Sequence, residues 1–506
     1  MGLFFTLVYI FVAYIGPQVL FGDLVQYHIQ IGIAALALAF SLPSLQDSDF
    51  TKLPQTYGVI GLIAAVPLSI AFSGWFGGAP TALLNFLPEA MLFFFVVLNC
   101  KKKIHLQILI AVLLFTAVYN VSQGLIAERF GNDLSPYVII MKNNAGESFY
   151  RIRGVDFISD PNDLAQFLLM LMPCLFFFWS KGKTVRNMLF VLLPLSFLLV
   201  GMFFTHSRGA MVALMAVAMV AGRRKFGLGR SLVAGVVLYL AMTAAGFSGG
   251  RSSSLEDGTD RMDSWAAGLM MIRMHPILGV GFGRFTDEYH DLPAHNSVVL
   301  CAAETGLFGL FFWMLVTVPT VRDAYVGSGS TKSNEAASDD TASNEKGRRK
   351  IAPRRSDAGP ERKPALSFSR QPQPKEGFVL RGAVAAGAGP VDVPALAASG
   401  SSKVPQRYFA GPREDTDEMT APEIHRMSNL MLISATGFLV AGWFLPRTYT
   451  MTMFLEAGIV AAIYNMGRRE QIVPLPMPFS KAAKVATIAG VVCIGLVWIS
   501  LRISHL

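Results

Sequence analysis

Charge is what this chain has least of. Of its 506 residues only 15% are Asp, Glu, Lys or Arg, against roughly 25% in an ordinary soluble domain. That shortage excludes a soluble enzyme of the usual kind. An apolar content of 53% excludes global disorder. Cysteine is scarce too: Cys100, Cys174, Cys301 and Cys493 are the full set, each in or beside an apolar run. Such a set is no disulfide framework and reads as reduced packing residues. No basic segment precedes the first apolar run, and no small-residue cleavage site follows Gly16-Pro17, so that run is not read as a signal peptide.

The charge that is present is unevenly placed. Residues 322–426 hold 17 Lys/Arg and 14 Asp/Glu, and the other 401 residues hold 26 and 20. Outside that stretch the chain reads as an all-α polytopic membrane protein. A helix needs about 20 apolar residues to cross a hydrocarbon core of about 30 Å. Candidate spans lie at 3–20, 27–45, 57–76, 81–98, 104–121, 162–179, 188–204, 209–222, 232–247, 296–318, 428–445, 448–466 and 483–501. That makes thirteen transmembrane helices, or twelve if the last does not cross.

The formal charge of +9 is explained by basic clusters facing the cytoplasm rather than by a nucleic-acid partner. Lys101-Lys102-Lys103, Lys181 with Lys183, Arg223-Arg224-Lys225 and Arg468-Arg469 each follow an even-numbered span. The segment 322–426 follows the tenth and falls on the same side. Rich in Ser, Ala, Gly, Pro and charge, it reads as a disordered cytoplasmic linker, with a lipid- or partner-docking arm at 346–355 as the alternative. It divides an N-terminal membrane domain, 1–321, from C-terminal transmembrane helices, 427–506. The loops at 122–161, 205–208 and 248–295 and the pair Pro446-Arg447 then face outward.

Ionisable residues beside apolar spans are expensive and tend to be functional. In "FFTHSRGAMVAL" the outward turn has almost no residues to spare, so Arg208, after Ser207, sits at the membrane edge. Arg151 and Arg153 stand outward before the sixth span. Asp160 with Pro161 gives that span a cap and a first helical residue. In the long outward loop, Met262, Trp265, Leu269 and Ile272 recur at helical spacing, as in a helix lying on the membrane or lidding a cavity. Arg261 occupies its first turn against the helix dipole, held there by a ligand or by Asp257. His295 and Asn296 stand at the mouth of the tenth span, with Glu304 about two turns inside. Outward cations of this kind suit an anionic lipid head group. Arginine forks match diphosphate oxygens, and a histidine can take the proton of an attacking hydroxyl. No Asp-x-Asp, HExxH or CxxC pairing offers a metal cage on that side.

"THSRGAMVAL", then "RMDSW…MMIRMHPILGVGFGRF", then "AHNSVVLCAAETGLFGL" resemble, in order and spacing, the O-antigen ligase and O-antigen polymerase superfamily. The resemblance covers a core of about 151–312. It implies a metal-independent, inverting glycosyltransferase of the bacterial inner membrane, without a cofactor. Such an enzyme moves a glycan from undecaprenyl diphosphate to an acceptor on the periplasmic face. By motif, Arg208 and Arg261 correspond to diphosphate-binding arginines and His295 to the base. Arg151, Arg153, Ser207, Trp265, Asn296 and Glu304 fall in supporting, substrate-binding roles. The resemblance also implies a cavity open to the outer leaflet, lidded by the periplasmic loop 248–295. The acceptor stays open: lipid A core for a ligase, another lipid-linked glycan for an O-antigen or exopolysaccharide polymerase, a protein for an O-oligosaccharyltransferase. A membrane transporter or lipid flippase is the rival of another class. It would carry its charges near the bilayer midplane, on broken helices in paired halves.

Overall fold

The computed structural model describes residues 1–22, 29–46, 49–143, 146–247, 249, 255–286, 293–329 and 419–504. The chain is an all-α polytopic membrane protein. Its N-terminal helices are α1 (Gly2–Ile15), α2 (Pro17–Leu20), α3 (Ile29–Ser41), α4 (Pro54–Phe72), α5 (Ala79–Asn99) and α6 (Lys103–Arg129). An antiparallel hairpin follows, β1 (Val138–Lys142) with β2 (Ser148–Ile152), registered Ile140 to Tyr150. Then come α7 (Pro161–Cys174), α8 (Thr184–Asn187), α9 (Leu193–Phe204), α10 (Arg208–Phe226), α11 (Leu228–Ala244), α12 (Leu255–Met274) and α13 (Ser297–Gly327). Beyond the linker lie α14 (Ala421–Phe444), α15 (Met451–Arg469) and α16 (Phe479–Ser504).

Every expected span falls on a helix. Among the described residues, nine helices are long and apolar enough to cross a membrane. The remaining four expectations fall on α3, α10, α11 and α15. The segments Ile29–Leu45 and Leu228–Ala244 are apolar but short, about 26 Å at 1.5 Å per residue. Helices α10 and α15 end in Arg223-Arg224-Lys225 and Arg468-Arg469. The reading of 322–426 as a disordered linker falls, for 330–418, outside the described residues. So do 248, 250–254 and 287–292 of the expected lid, and the side chain of Asp257.

Two apolar clusters hold the bundle together. One joins α1, α6, α7, α10, α14 and α15 around Tyr14, Leu113, Phe167 and Ile459. The other joins α4, α5, α12, α13, α15 and α16 around Phe86, Trp265, Val299 and Phe454. All four cysteines are free, and three are buried, consistent with packing residues.

The basic clusters gather at one end of the bundle. Lys103 pairs with Glu423, Arg426 Nη1 donates to the Trp179 carbonyl at 3.0 Å, and Arg224 Nη2 donates to Ser328 Oγ at 2.9 Å. The helices that finish there, α7, α10 and α15, start at the opposite end, and that end carries the candidate site.

Helix α13 is broken at Gly306, where φ is 67° and ψ −171°. A break at membrane depth strands backbone groups that water cannot reach. Residues 276–281 take up all four. Val280 N–H donates to Ala303 O at 2.9 Å and Gly281 N–H to Glu304 O at 3.0 Å. In return Leu307 N–H reaches Pro276 O at 2.8 Å and Phe308 N–H reaches Ile277 O at 3.1 Å. The segment runs on against α4, with Phe282 N–H on Ser69 Oγ at 3.0 Å and Arg284 Nη1 on Ser73 Oγ at 2.7 Å.

Candidate functional site

Three helices begin at one place, and each is capped by its own sequence. Asp160 caps α7, accepting from Asn162 N–H at 2.7 Å ahead of Pro161, as its sequence predicts. Ser207 caps α10 through Ala210 N–H. Asn296 caps α13, its Oδ1 accepting from Val298 N–H at 2.8 Å and Val299 N–H at 3.1 Å. Each start directs unsatisfied backbone N–H groups and the positive end of a helix dipole the same way.

The connection Leu445–Thr450 between α14 and α15 ties these starts together. Asn296 Nδ2 donates to the Trp443 carbonyl at 3.1 Å. Ser297 Oγ donates to Leu445 O at 2.8 Å and accepts from Arg447 N–H at 3.0 Å, while Thr448 Oγ1 donates to Ser297 O at 2.6 Å. Arg447 reaches across to α7, pairing with Asp160 at 3.1 Å and with Asp163. The start of α10 lies against the same turn: a Cβ on Gly209 would come within 3.3 Å of Leu445. Helix α12 arrives through Trp265, whose ring stands edge-on to Trp443 at 6.2 Å. Four of the expected residues therefore lie on or beside one turn: Ser207, Trp265, Asn296 and, one residue before the cap, His295. Arg208 follows Ser207 on α10, and Arg261 precedes Trp265 by one turn of α12. Both are half-buried.

The other expected residues sit a step further out. Arg151 is buried on β2. Its Nε donates to the Thr205 carbonyl at 2.8 Å and its Nη2 to Asn162 Oδ1 at 3.2 Å. Ser207 Oγ donates to that same Asn162 oxygen at 2.7 Å. Arg151 thus braces the turn that presents Arg208. Arg153 straps the hairpin, with Nε on Pro136 O at 2.9 Å and Nη1 on Ser159 O at 3.3 Å. Glu304, on α13, faces the continuation of the docked segment, its Oε1 accepting from Phe285 N–H at 3.4 Å. The stripe on α12 faces inward: Trp265 and Ile272 are buried and Met262 and Leu269 pack against the same cluster. Arg447 and Asn162, the two residues that join these helix starts, carry no sequence motif of their own. The run Asp160-Pro161-Asn162-Asp163 hinted at Asn162, as a cap, and Arg447 stood out only as part of the outward pair Pro446-Arg447.

Outside the membrane-spanning helices, Asp156 lies between the hairpin and α7 at φ 55°. Burial pushes its carboxyl up to about 6, against a hydrogen bond from Gln18 that favours the charged form. Among the described residues no three His, Cys, Asp or Glu side chains gather as a set that could hold a metal ion.

No curated protein matches the chain. A family model described as O-Antigen ligase matches residues 191–314, a stretch that contains Ser207, Arg208, Arg261, Trp265, His295, Asn296 and Glu304 but neither Arg151, Arg153 nor Arg447. The match supports the O-antigen ligase superfamily over residues 191–314.

Proposed function

We propose that this protein transfers a glycan from undecaprenyl diphosphate to an acceptor hydroxyl at the periplasmic face of the bacterial inner membrane. The family carries a ligase- or polymerase-like part in surface polysaccharide assembly, with a lipid-linked glycan and an acceptor as substrates in general. The observation that carries the finer reading is the convergence of the starts of α7, α10 and α13 on the Leu445–Thr450 turn. Helix N-termini favour phosphate oxygens, and Arg208 opens one of these helices, with Arg261 on the helix packed beside them.

In this reading Arg208 and Arg261 hold the donor diphosphate and stabilise the charge that grows on it as the glycosidic bond breaks. His295, in its neutral form, takes the proton of the acceptor hydroxyl, which attacks the anomeric carbon from the face opposite the leaving diphosphate and inverts it. Lipid A core is the acceptor for the ligase form of the reaction, with polymerase and protein acceptors as its variants. The periplasmic orientation follows from the basic clusters at the far end of α7, α10 and α15. A transporter is disfavoured because the break in α13 is filled by main chain from residues 276–281 rather than left open to a ligand.

The test is transfer from a purified undecaprenyl-diphosphate glycan to lipid A core, to a second lipid-linked glycan and to a peptide, each with EDTA present. Transfer to one acceptor that survives EDTA is expected. Loss of transfer with EDTA would overturn the metal-independent mechanism, and absence of transfer to all three would overturn the reading.

A further inference from the structure

A cavity of about 570 Å³ runs between α13, α14 and α16. Its walls are apolar along most of their length, formed by residues such as Trp313, Val321, Leu439, Trp443, Ala489 and Cys493. Two cations line it, Arg223 in the last turn of α10 and Arg322 near the end of α13. Both lie at the end of the bundle away from the candidate site.

The two guanidiniums are differently placed. Arg322 is held through one nitrogen: its Nη1 donates to Asp323 Oδ1 at 2.7 Å and to Tyr464 Oη at 2.9 Å. Its guanidinium lies 5.6 Å over the Tyr464 ring. Asp323 is buried and also engaged by Gln55 Nε2 at 2.8 Å, so it partly neutralises Arg322. Among the described residues no side chain pairs with Arg223. The mouth of the cavity therefore carries net positive charge, with Arg224 and Lys225 adjacent in sequence.

We infer that this cavity seats an anionic phospholipid from the leaflet opposite the candidate site, its phosphate on Arg223 and Arg322 and an acyl chain along the apolar walls. A hydrocarbon chain tip would gain nothing from two guanidiniums and would leave Arg223 desolvated without a partner. A phosphate satisfies it through a planar fork of donors. A zwitterionic lipid brings its own cation to the same mouth and competes with the arginines for that phosphate. The inference needs only the membrane placement of the bundle and does not rest on the transferase reading.

The experiment uses the full chain in a nonionic detergent. Phosphatidylglycerol brominated in its acyl chains is added in about equimolar amount, and tryptophan fluorescence is followed. Quenching is expected with phosphatidylglycerol, at least tenfold weaker binding with phosphatidylcholine, and loss of part of the quenching in each of Trp313→Phe and Trp443→Phe, the two tryptophans of the cavity wall. Arg223→Gln should weaken phosphatidylglycerol binding about tenfold. Arg223 is the informative position, since Arg322 also bonds Asp323 and Tyr464 and its replacement disturbs packing. Ala489→Phe, which narrows the cavity and leaves both arginines, should abolish the quenching. Equal binding of the two lipids, or binding indifferent to Arg223→Gln, would overturn the proposal. So would displacement of the bound lipid by an equimolar undecaprenyl diphosphate, which would assign the cavity to the donor's tail.

Discussion

His206 and His295 share a positive φ, 49° at each, and each stands one residue ahead of a helix cap, Ser207 for α10 and Asn296 for α13. Left-handed backbone is uncommon outside glycine and costs on the order of 1–3 kcal/mol. Here it turns the chain sharply into each helix and sets both starts against the same connection. The side chains differ. His206 Nδ1 lies 2.9 Å from the Phe247 carbonyl, and its ring is edge-on to Phe149 at 5.3 Å. That is a packing environment. His295 stands beside the junction of α13 with the Leu445–Thr450 turn.

The two histidines should therefore give opposite phenotypes. His295→Ala is expected to lose transfer by roughly 10²–10⁴-fold, the usual worth of a general base, with donor binding and thermal stability nearly unchanged. His206→Ala should cost about 1–2 kcal/mol of stability and leave transfer within a few fold of wild type. In-vitro transfer and thermal unfolding in detergent, measured on both variants, decide the matter. Near-normal transfer by a folded His295→Ala would make it a structural residue.

Arg208 opens α10 behind the cap formed by Ser207. Arg208→Lys keeps the charge but not the planar fork. If Arg208 holds the leaving diphosphate as an oxyanion donor would, the variant should raise the barrier by about 2–4 kcal/mol, read as a loss of kcat with folding intact. A variant as active as wild type would mean that a point charge suffices.

Arg447 has no counterpart in the matched stretch, and its role is positional. It joins Asp160 and Asp163 of α7 to the turn that holds Ser297. Asp163 is buried, and removing one partner of a buried pair costs about 3–5 kcal/mol because the other is left uncompensated. Arg447→Ala should lower stability by an amount of that order. The double variant Arg447→Ala with Asp163→Asn should recover much of it, since the stranded carboxylate is gone. Additive losses would show that the pair is not coupled.

Local signals in the sequence were sufficient for the helices and caps. Asp160 with Pro161, the buried stripe through Trp265 and the crowded turn at Ser207 each depend on neighbours a few residues away. What the sequence did not disclose depends on partners far along the chain. The β1–β2 hairpin is the exception: it is local, and Asn143, Asn144 and Gly146 between its strands are residue types that favour turns, yet it lay unrecognised in the loop 122–161. Arg447 meets Asp160 and Asp163 from a distance of nearly 300 positions. Glu304 read as a residue inside the tenth span because nothing nearby shows that α13 breaks at Gly306 or that residues 276–281 fill the gap. Gly279 packs so closely that a Cβ would stand 2.4 Å from the Glu304 carbonyl carbon, a partner that no local pattern names.

Asp156 makes stability depend on pH. Its carboxyl is raised from 3.8 to about 6 by burial, so the folded state binds the proton more tightly than the unfolded one. The stability this contributes is fully present below about pH 4 and is lost as pH rises through about 6. Asp156 is partly exposed, so screening reduces the effect to on the order of 1 kcal/mol. Asp156→Asn is a suitable probe, because asparagine tolerates the left-handed backbone found there. Between pH 4.5 and 7 the wild type should lose more thermal stability than the variant. Identical pH profiles would place the titration elsewhere.

The break in α13 offers the sharpest test of how the site is held. Gly306 lies in a region of backbone space essentially reserved for glycine, at φ 67° and ψ −171°. A Cβ there would stand 2.1 Å from the Ile277 carbonyl oxygen and 2.5 Å from Leu278 N. Gly306→Ala therefore combines backbone strain with a clash against main chain, which cannot rotate away as a side chain would. Relief requires residues 276–281 to withdraw, which strands the four backbone groups they satisfy. The expected loss is about 3 kcal/mol or more. Because the segment follows α12 directly, its withdrawal should also loosen the helix that carries Arg261 and Trp265, and transfer should fall with stability. Gly495→Ala is the control: it lies in α16, its Cβ would meet nothing within 4 Å, and alanine favours helix by up to about 1 kcal/mol. It should be neutral or slightly stabilising. A Gly306→Ala protein as stable as the Gly495→Ala protein would mean that the docked segment is not required to hold α13.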